Sequence, residues 1–383
     1  MHRKIRMGMV GGSREGFIGA VHRMAAALDG TIELVCGSFS SNPAKSKETG
    51  AFLHLDESRV YASFEEMIRK EKQLPDHIRM DFISIVTPNA LHVAPAKLAL
   101  ENGFHVLCEK PMAFSVEEAL ELEVLVQKTK RLFGLTHNYT GYPMVKEARE
   151  LIRSGKIGKI RKVIAEYPQG WLSARIEGDG QKQAGWRTDP KQAGISCCVG
   201  DIGTHAENLT EYITGLKITE LSADITTFVE GRLLEDDANI LVRFDNGAKG
   251  VIIATQIAAG EENELKIRIY GEKGGLEWLQ SNPNTLLLKS TEEPTKLLRT
   301  GNAYLSEHTK VHTRLPSGHP EGYIEAFANI YRNFVMAVAT YPEQQKEKET
   351  LYDFPGVSDG LRGMRFIEAV IESGKKNGEW MKL

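Results

Sequence analysis

Two stretches of this sequence hold side chains that could move a proton. Val106–Met112 is an apolar run that stops at Glu109, Lys110 and Pro111. Pro111 cannot extend a central strand, so the acid and the amine leave the sheet at its carboxyl edge, where open α/β sheets bind ligands. A solvated Glu–Lys pair ending a strand is the plainer alternative. In Gly194–Leu209, Asp201 and His205 stand four residues apart. Apolar spacing from Ile202 to Ile213, with Gly215 as a stop, predicts a helix that puts both on one face, and Gly200 and Gly203 leave room around them. A carboxylate one turn from an imidazole can fix its tautomer and raise its basicity, as a general base requires. A helix-start aspartate beside a satisfied histidine is the alternative. A metal site lacks a third ligand, so no metal is expected.

Around these pairs lie groups that could meet a ligand: Trp186 could stack on a ring, and Arg187 could meet a phosphate or a carboxylate. Trp186 and Arg187 offer a flat apolar surface and a cation, and Gln169, Trp171 and Arg175 follow the first strand of the chain's second half. An aromatic face with amide and guanidinium donors suits a sugar, although such loop residues often only pack.

The elements that must position these groups are legible in order. Ile5–Val10 reads as a strand, followed by Gly11, Gly12, Ser13, Gly16 and Gly19 and then a helical run to Leu28. Strand, glycine-rich turn and helix form a phosphate cradle, in which backbone N–H groups approach a pyrophosphate. The strict G-x-G-x-x-G spacing is absent, as though two residues were inserted after Gly11. Ile32–Cys36 is a second strand, and where an NAD site usually places an acid this chain has Gly37 and Ser38. Ser38 can bond a ribose, whereas Lys45 or Lys47 can meet a 2′-phosphate, so the choice between NAD and NADP stays open. Ser40 and Ser41 read as helix caps before Asn42-Pro43. Further strands at Asp81–Val86, His105–Cys108 and Leu132–Leu135 alternate with helices at Val60–Lys72, Ala90–Glu101 and Val116–Lys130. That alternation predicts a doubly wound parallel sheet whose strand ends gather the glycine turn, Thr87-Pro88-Asn89, Glu109-Lys110 and Asn138 at one rim.

From about Val145 the pattern becomes strand-like alternation, with hairpin signals at Asp245-Asn246-Gly247 and Gly271–Gly275. An antiparallel sheet follows, in a second domain whose outward face suits another subunit. Two helices, about residues 321–339 and 356–373, close the chain. The domains read as 1–140 and 141–383. A length of 383 residues supports two cores, and a net charge of −3 argues against nucleic acid or an anionic membrane surface as partner. With no leader-type block and no apolar span of membrane length, the expected location is the cytoplasm. Four cysteines, two of them adjacent, read as free thiols.

Taken together, Glu109-Lys110-Pro111 after a dinucleotide-type half and Asp201-x-x-x-His205 in the second half resemble the glucose-fructose oxidoreductase, inositol dehydrogenase and rhizopine-catabolism (Gfo/Idh/MocA) superfamily. Thr87-Pro88-Asn89 with His92, Trp186-Arg187, Asp359-Gly360 and Glu368-Ala369 add to the likeness, which covers nearly the whole chain. The resemblance implies a Rossmann NAD(P)-binding domain followed by an α+β domain with a large, mainly antiparallel sheet. It implies a dehydrogenase that oxidises a secondary alcohol of a sugar, cyclitol or glycoside. Carried to this sequence, Lys110 and His205 are catalytic, with Asp201 orienting His205. Gly11, Gly12, Ser13, Phe17, Ile18, Ser38, Thr87, Asn89, His92, Glu109, Lys110, Asn138, Trp186 and Arg187 surround the cofactor. Tyr139, Gln169, Trp171 and His319 join Lys110, Asp201 and His205 around the substrate. The segments 167–172 and 318–323 look like a subgroup acting on the C3 hydroxyl of sugars or glycosides. A homodimer or homotetramer through the second sheet is implied. The rival readings are a redox-type glycosidase that retains NAD, and a cofactor-sensing regulator.

Overall fold

The computed structural model describes residues 3–341 and 352–383, so the first two residues of the basic N-terminus lie outside the described part. The chain divides into two compact units. The first comprises Met1–Asn138 and Phe327–Leu361, the second Tyr139–Ala326 and Arg362–Leu383.

In the first unit β1 (Ile5–Gly11), β2 (Ile32–Ser38), β3 (Phe82–Val86), β4 (His105–Cys108) and β5 (Phe133–Leu135) form a parallel sheet in the order β2-β1-β3-β4-β5. Central β3 is buried at every position, and a strand covered on both faces reads apolar throughout, which is why period-2 alternation is missing here. Helix α1 (Phe17–Leu28) follows the glycine turn. Helix α2 (Pro43–Phe52) is capped by Asn42, whose side chain accepts from the Ala44 and Lys45 amides. The expected caps Ser40 and Ser41 are thus corrected: Ser40 Oγ accepts from the Asn42 amide at 3.1 Å. Helix α3 (Phe64–Gln73) begins later than expected because Ser63 caps it.

The second reading to be corrected is the domain assignment. The residue pattern assigns 141–383 wholly to the second domain, but the described part of Phe327–Leu361 packs with the first. Within the helix Tyr323–Ala339, Phe334 lies edge-on to Phe82 with ring centroids 5.4 Å apart. A β-carbon on Gly134 would come within 2.8 Å of the Phe334 ring, so this glycine is what lets the helix close on β5.

The second unit holds β6 (Ile160–Pro168), β7 (Ile218–Thr226), β8 (Asp237–Phe244), β9 (Lys249–Thr255), β10 (Lys266–Gly271), β11 (Gly274–Leu279), β12 (Thr285–Ser290), β13 (Lys296–Arg299) and β14 (Met381–Lys382). Their order is β13-β12-β11-β10-β6-β9-β8-β7-β14, antiparallel except for the β6–β9 pair. One face is buried through Ala238, Ile240, Val242, Ile252 and Ala254. The helix Thr204–Thr214 packs on β6 and β9. On the other face Leu241, Val251 and Ile164 form a row across β8, β9 and β6. Among the described residues no helix is long and apolar enough to cross a membrane, and all four cysteines are buried free thiols.

Candidate active site

The carboxyl edge of the parallel sheet is built to receive a large anion. Gly11 and Gly12 turn the chain at φ +82° and +73°, a region that side chains rarely enter. A β-carbon on Gly19 would lie 2.3 Å from the Gly12 α-carbon, so the turn and α1 touch backbone to backbone. Arg23 Nη1 donates to the Gly12 carbonyl at 2.7 Å and holds the turn from below. Gly16 caps α1 without a side chain, which leaves its first amides open to a phosphate. Ser13 closes the turn by accepting from the Gly16 amide at 2.8 Å; Phe17 is 66% exposed and Ile18 half-buried beside it. Asn138, at the end of β5, keeps a buried Nδ2 with no hydrogen-bond partner, an orphan donor of the kind a ligand satisfies. These features fit a dinucleotide, despite the lengthened glycine spacing.

Ser38 is buried at the end of β2. Lys45 and Lys47, the two lysines that could have met a 2′-phosphate, pair with Glu15 at 3.0 Å and Glu57 at 3.6 Å. Thr87 donates to the Leu91 carbonyl at 3.1 Å, and Asn89 starts a short 3₁₀ turn. His92 is buried. Its ring nitrogens lie 2.8 Å from the Pro111 and Thr87 carbonyls, between the Thr87 loop and the Lys110–Pro111 turn; burial, the largest influence, lowers its pKa, and a neutral ring donates to one of the two.

Glu109 is the hub of this edge. Its Oε1 accepts from Thr136 Oγ1 at 2.8 Å and lies 2.7 Å from His22 Nε2, while Oε2 accepts from the Lys110 amide at 3.1 Å. Burial, the largest influence, works to raise the carboxyl's pKa, yet His22, Lys110 and Thr136 together hold it below its ordinary value. His137 goes the other way: burial first and the Lys110 charge second push it down to about 3, so its imidazole is neutral. His22 was missed by the sequence reading. It sits on an apolar face of α1, the commonest place for an inert core histidine, and nothing local marks it as a partner of a residue 87 positions away.

The second unit gathers most of the other candidates. Asp201 lies in a π-helical turn, Val199–Gly203, that runs into the helix beginning at Thr204, so the continuous α-helix expected from the spacing is widened where the pair sits. Asp201 Oδ2 accepts from Arg187 Nε at 3.0 Å and Gln256 Nε2 at 2.9 Å. Arg187 stacks over Trp186 at 4.3 Å and Trp171 at 5.8 Å and donates to Gln183, so its cation is committed to this cluster. The ring of His205 stands edge-on to Tyr139, centroids 4.8 Å apart.

Asn263, also missed, sets the polarity of the remaining hydroxyls. Its Oδ1 accepts from Tyr167 at 2.7 Å and from Gln169 Nε2 at 2.6 Å, and its Nδ2 donates to Tyr139 at 3.2 Å. With Tyr167's proton spent on Asn263, the Tyr139–Tyr167 bond takes its proton from Tyr139. Burial, the largest influence, pushes both phenols up, so both stay protonated. Gln169 Oε1 accepts from Trp171 Nε1 at 3.0 Å. Its amide therefore organises the wall and has little left for a ligand. His319, expected near the substrate, is exposed in a turn at residues 316–320 and bonds none of this cluster. Among the described residues no group of three or more His, Cys, Asp and Glu side chains could hold a metal ion.

Comparison with known proteins matches two family models to successive parts of the chain. Residues 5–139 match the model of an oxidoreductase family with an NAD-binding Rossmann fold, and residues 145–277 match the GFO/IDH/MocA C-terminal domain. An uncharacterized oxidoreductase of Bacillus subtilis, YfiI, is 35% identical over 99% of this chain and 97% of its own. Levoglucosan dehydrogenase of Pseudarthrobacter phenanthrenivorans is 27% identical over 72% of this chain and 73% of its own. The crystal structure of an inositol dehydrogenase homolog from Azotobacter vinelandii, complexed with NADH and myo-inositol, superposes with a TM-score of 0.93 at 34% identity, covering 100% of this chain and 98% of that one.

Proposed function

The chain belongs to the GFO/IDH/MocA family of oxidoreductases, and from that premise we propose that it oxidises one secondary hydroxyl of a neutral polyhydroxylated ring, a cyclitol or a sugar or glycoside, at C3 where the ring is a sugar. At the level of the family it is an NAD-dependent dehydrogenase acting on CH–OH groups of sugars or cyclitols. The narrowing to an uncharged ring rests on one observation. The polar lining around Asp201 and His205 consists of amides, phenols and indoles, and its guanidinium is already paired with Asp201.

In the proposed mechanism the first unit's glycine turn and α1 amides would hold the pyrophosphate, and Glu109 and Asn138 would meet the rest of the dinucleotide. Bound NAD supplies the acceptor for the hydride leaving the carbinol carbon. His205 takes the hydroxyl proton, and Asp201, fixed by Arg187 and Gln256, orients it. Lys110 steadies the oxygen as it gains charge. His92 acts through backbone, between the Thr87 loop and the Lys110–Pro111 turn.

The test is a panel of cyclitols, monosaccharides, glycosides and sugar phosphates, offered with NAD or NADP and followed by absorbance of the reduced cofactor. NADH formation from an uncharged ring, with NAD preferred, is expected. Turnover confined to phosphorylated sugars would overturn the substrate class, and free sugar released from a glycoside without net NADH would mark the glycosidase instead.

The open face of the second sheet, with Leu241 50% exposed beside Val251 and Ile253, is in this reading the contact between subunits of a homodimer or homotetramer. Sedimentation should find a wild-type oligomer that Leu241→Asp with Ile253→Lys converts to monomers. A monomeric wild type at micromolar concentration would refute the contact.

A further inference from the structure

Two consecutive residues of α1 reach opposite parts of the cofactor edge. Arg23 holds the Gly12 carbonyl of the glycine turn, and His22 meets Glu109, whose other oxygen takes the Lys110 amide. We propose that His22 is a positioning residue for the Glu109–Lys110 turn, so that one helix sets both the pyrophosphate cradle and the amine that serves the reacting oxygen. The proposal rests on the dehydrogenase reading given above and adds to it a residue that the sequence pattern does not single out.

The hydrogen bonds define His22's role atom by atom. Its ring is fully buried, with Nε2 2.7 Å from Glu109 Oε1 and Nδ1 2.7 Å from the Tyr331 hydroxyl. Ser84 Oγ lies 2.8 Å from that hydroxyl and 3.3 Å from Nδ1. The Glu109 carboxylate only accepts, so Nε2 carries the hydrogen. In the neutral ring Nδ1 then accepts from Tyr331 or Ser84, which locks the tautomer. Phe327 and Tyr331 pack edge-on against the imidazole, at 4.8 and 5.7 Å between centroids, and stop it turning. Without His22, Glu109 would keep one side-chain donor, Thr136, for a buried charge. A carboxylate in that position rotates or takes up a proton, and the Lys110 amide loses its acceptor.

Paired substitutions separate positioning from space filling. The amide nitrogen of His22→Gln falls near Nε2 and can still donate to Glu109; that of His22→Asn falls near Nδ1 and cannot. The expected result with the full-length protein is that His22→Gln keeps kcat and the calorimetric Kd for NAD within about threefold of wild type. His22→Asn should lose about 10- to 100-fold in kcat and weaken NAD several-fold, the scale of one hydrogen bond to a buried charge. Equal losses in both variants, or full activity in both, overturn the proposal. Should His22→Asn fail to fold, Tyr331→Phe combined with Ser84→Ala keeps both rings and removes both hydroxyls that can fix Nδ1. A several-fold drop in kcat is then expected, and an unchanged kcat overturns the proposal. A wild type that binds NAD but oxidises no polyol would defeat the functional reading, whereas an active wild type with indistinguishable Gln and Asn variants would defeat this inference alone.

Discussion

His205→Ala is expected to lower kcat on the true substrate by roughly 100- to 10,000-fold, the usual contribution of a positioned general base, while the Kd for NAD stays within a few-fold of wild type. The separation follows from where the residue sits. His205 belongs to the second unit, on the first turn of the helix Thr204–Thr214, with its ring against Tyr139. The glycine turn and α1 that would hold the dinucleotide belong to the first. Removing the ring also vacates a buried space next to Tyr139, so His205→Gln, which fills most of it, should accompany the alanine variant. If the loss comes from the missing base, both variants are slow in single turnover. If it comes from collapse of the Tyr139–Tyr167–Asn263 cluster, the glutamine variant regains activity. A fully active His205→Ala protein would remove this residue from the mechanism.

Lys110→Met should cost roughly 100- to 1,000-fold in kcat, the scale found for one donor aimed at a developing oxyanion. Methionine keeps the apolar stem and deletes the charge. The backbone at this position is held independently, by the Glu109 carboxylate on the Lys110 amide, with the buried His92 ring against the Pro111 carbonyl. The turn should therefore survive, and NAD affinity should change little. Stopped-flow measurement of the reduced cofactor distinguishes a slow chemical step from slow release. Wild-type kcat in the Lys110→Met variant would mean that the amine serves the cofactor or the fold and not the reacting oxygen.

How much of this could be read from residues alone depends on how local each signal is. β1, the glycine turn and α1 lie within 24 consecutive residues, and their order is written in apolar runs broken by Gly. The strand before Glu109 is followed within three residues by Pro111, and the helix carrying His205 ends at Gly215 with φ +69°. These stops are chemical, so they are visible in one dimension. His22, Ser84, Glu109, Thr136 and Tyr331 are drawn from five separate segments, and their meeting is a product of the sheet order. Asn263 lies in the loop before β10, in a stretch that reads as an ordinary polar turn. β11 is hard to read from residues for a different reason. Its turn, Gly271–Gly275, is a clear hairpin signal, but the strand opens with two of those same glycines and so reads as more turn. The Phe327–Leu361 return was obscured because a helix seam against β3 and β5 has the same apolar spacing whichever core it joins.

That return has a consequence for biosynthesis. The chain leaves the first unit after Asn138 and supplies its last core residues, Phe327, Tyr331 and Phe334, only after nearly two hundred intervening residues. On the ribosome, the amino-terminal third would therefore emerge with Phe82, His22 and Gly134 uncovered, and a nascent chain halted at residue 140 should expose enough apolar surface to recruit chaperones. Maturation of the nucleotide-binding half would then have to wait for a segment translated nearly two hundred residues later.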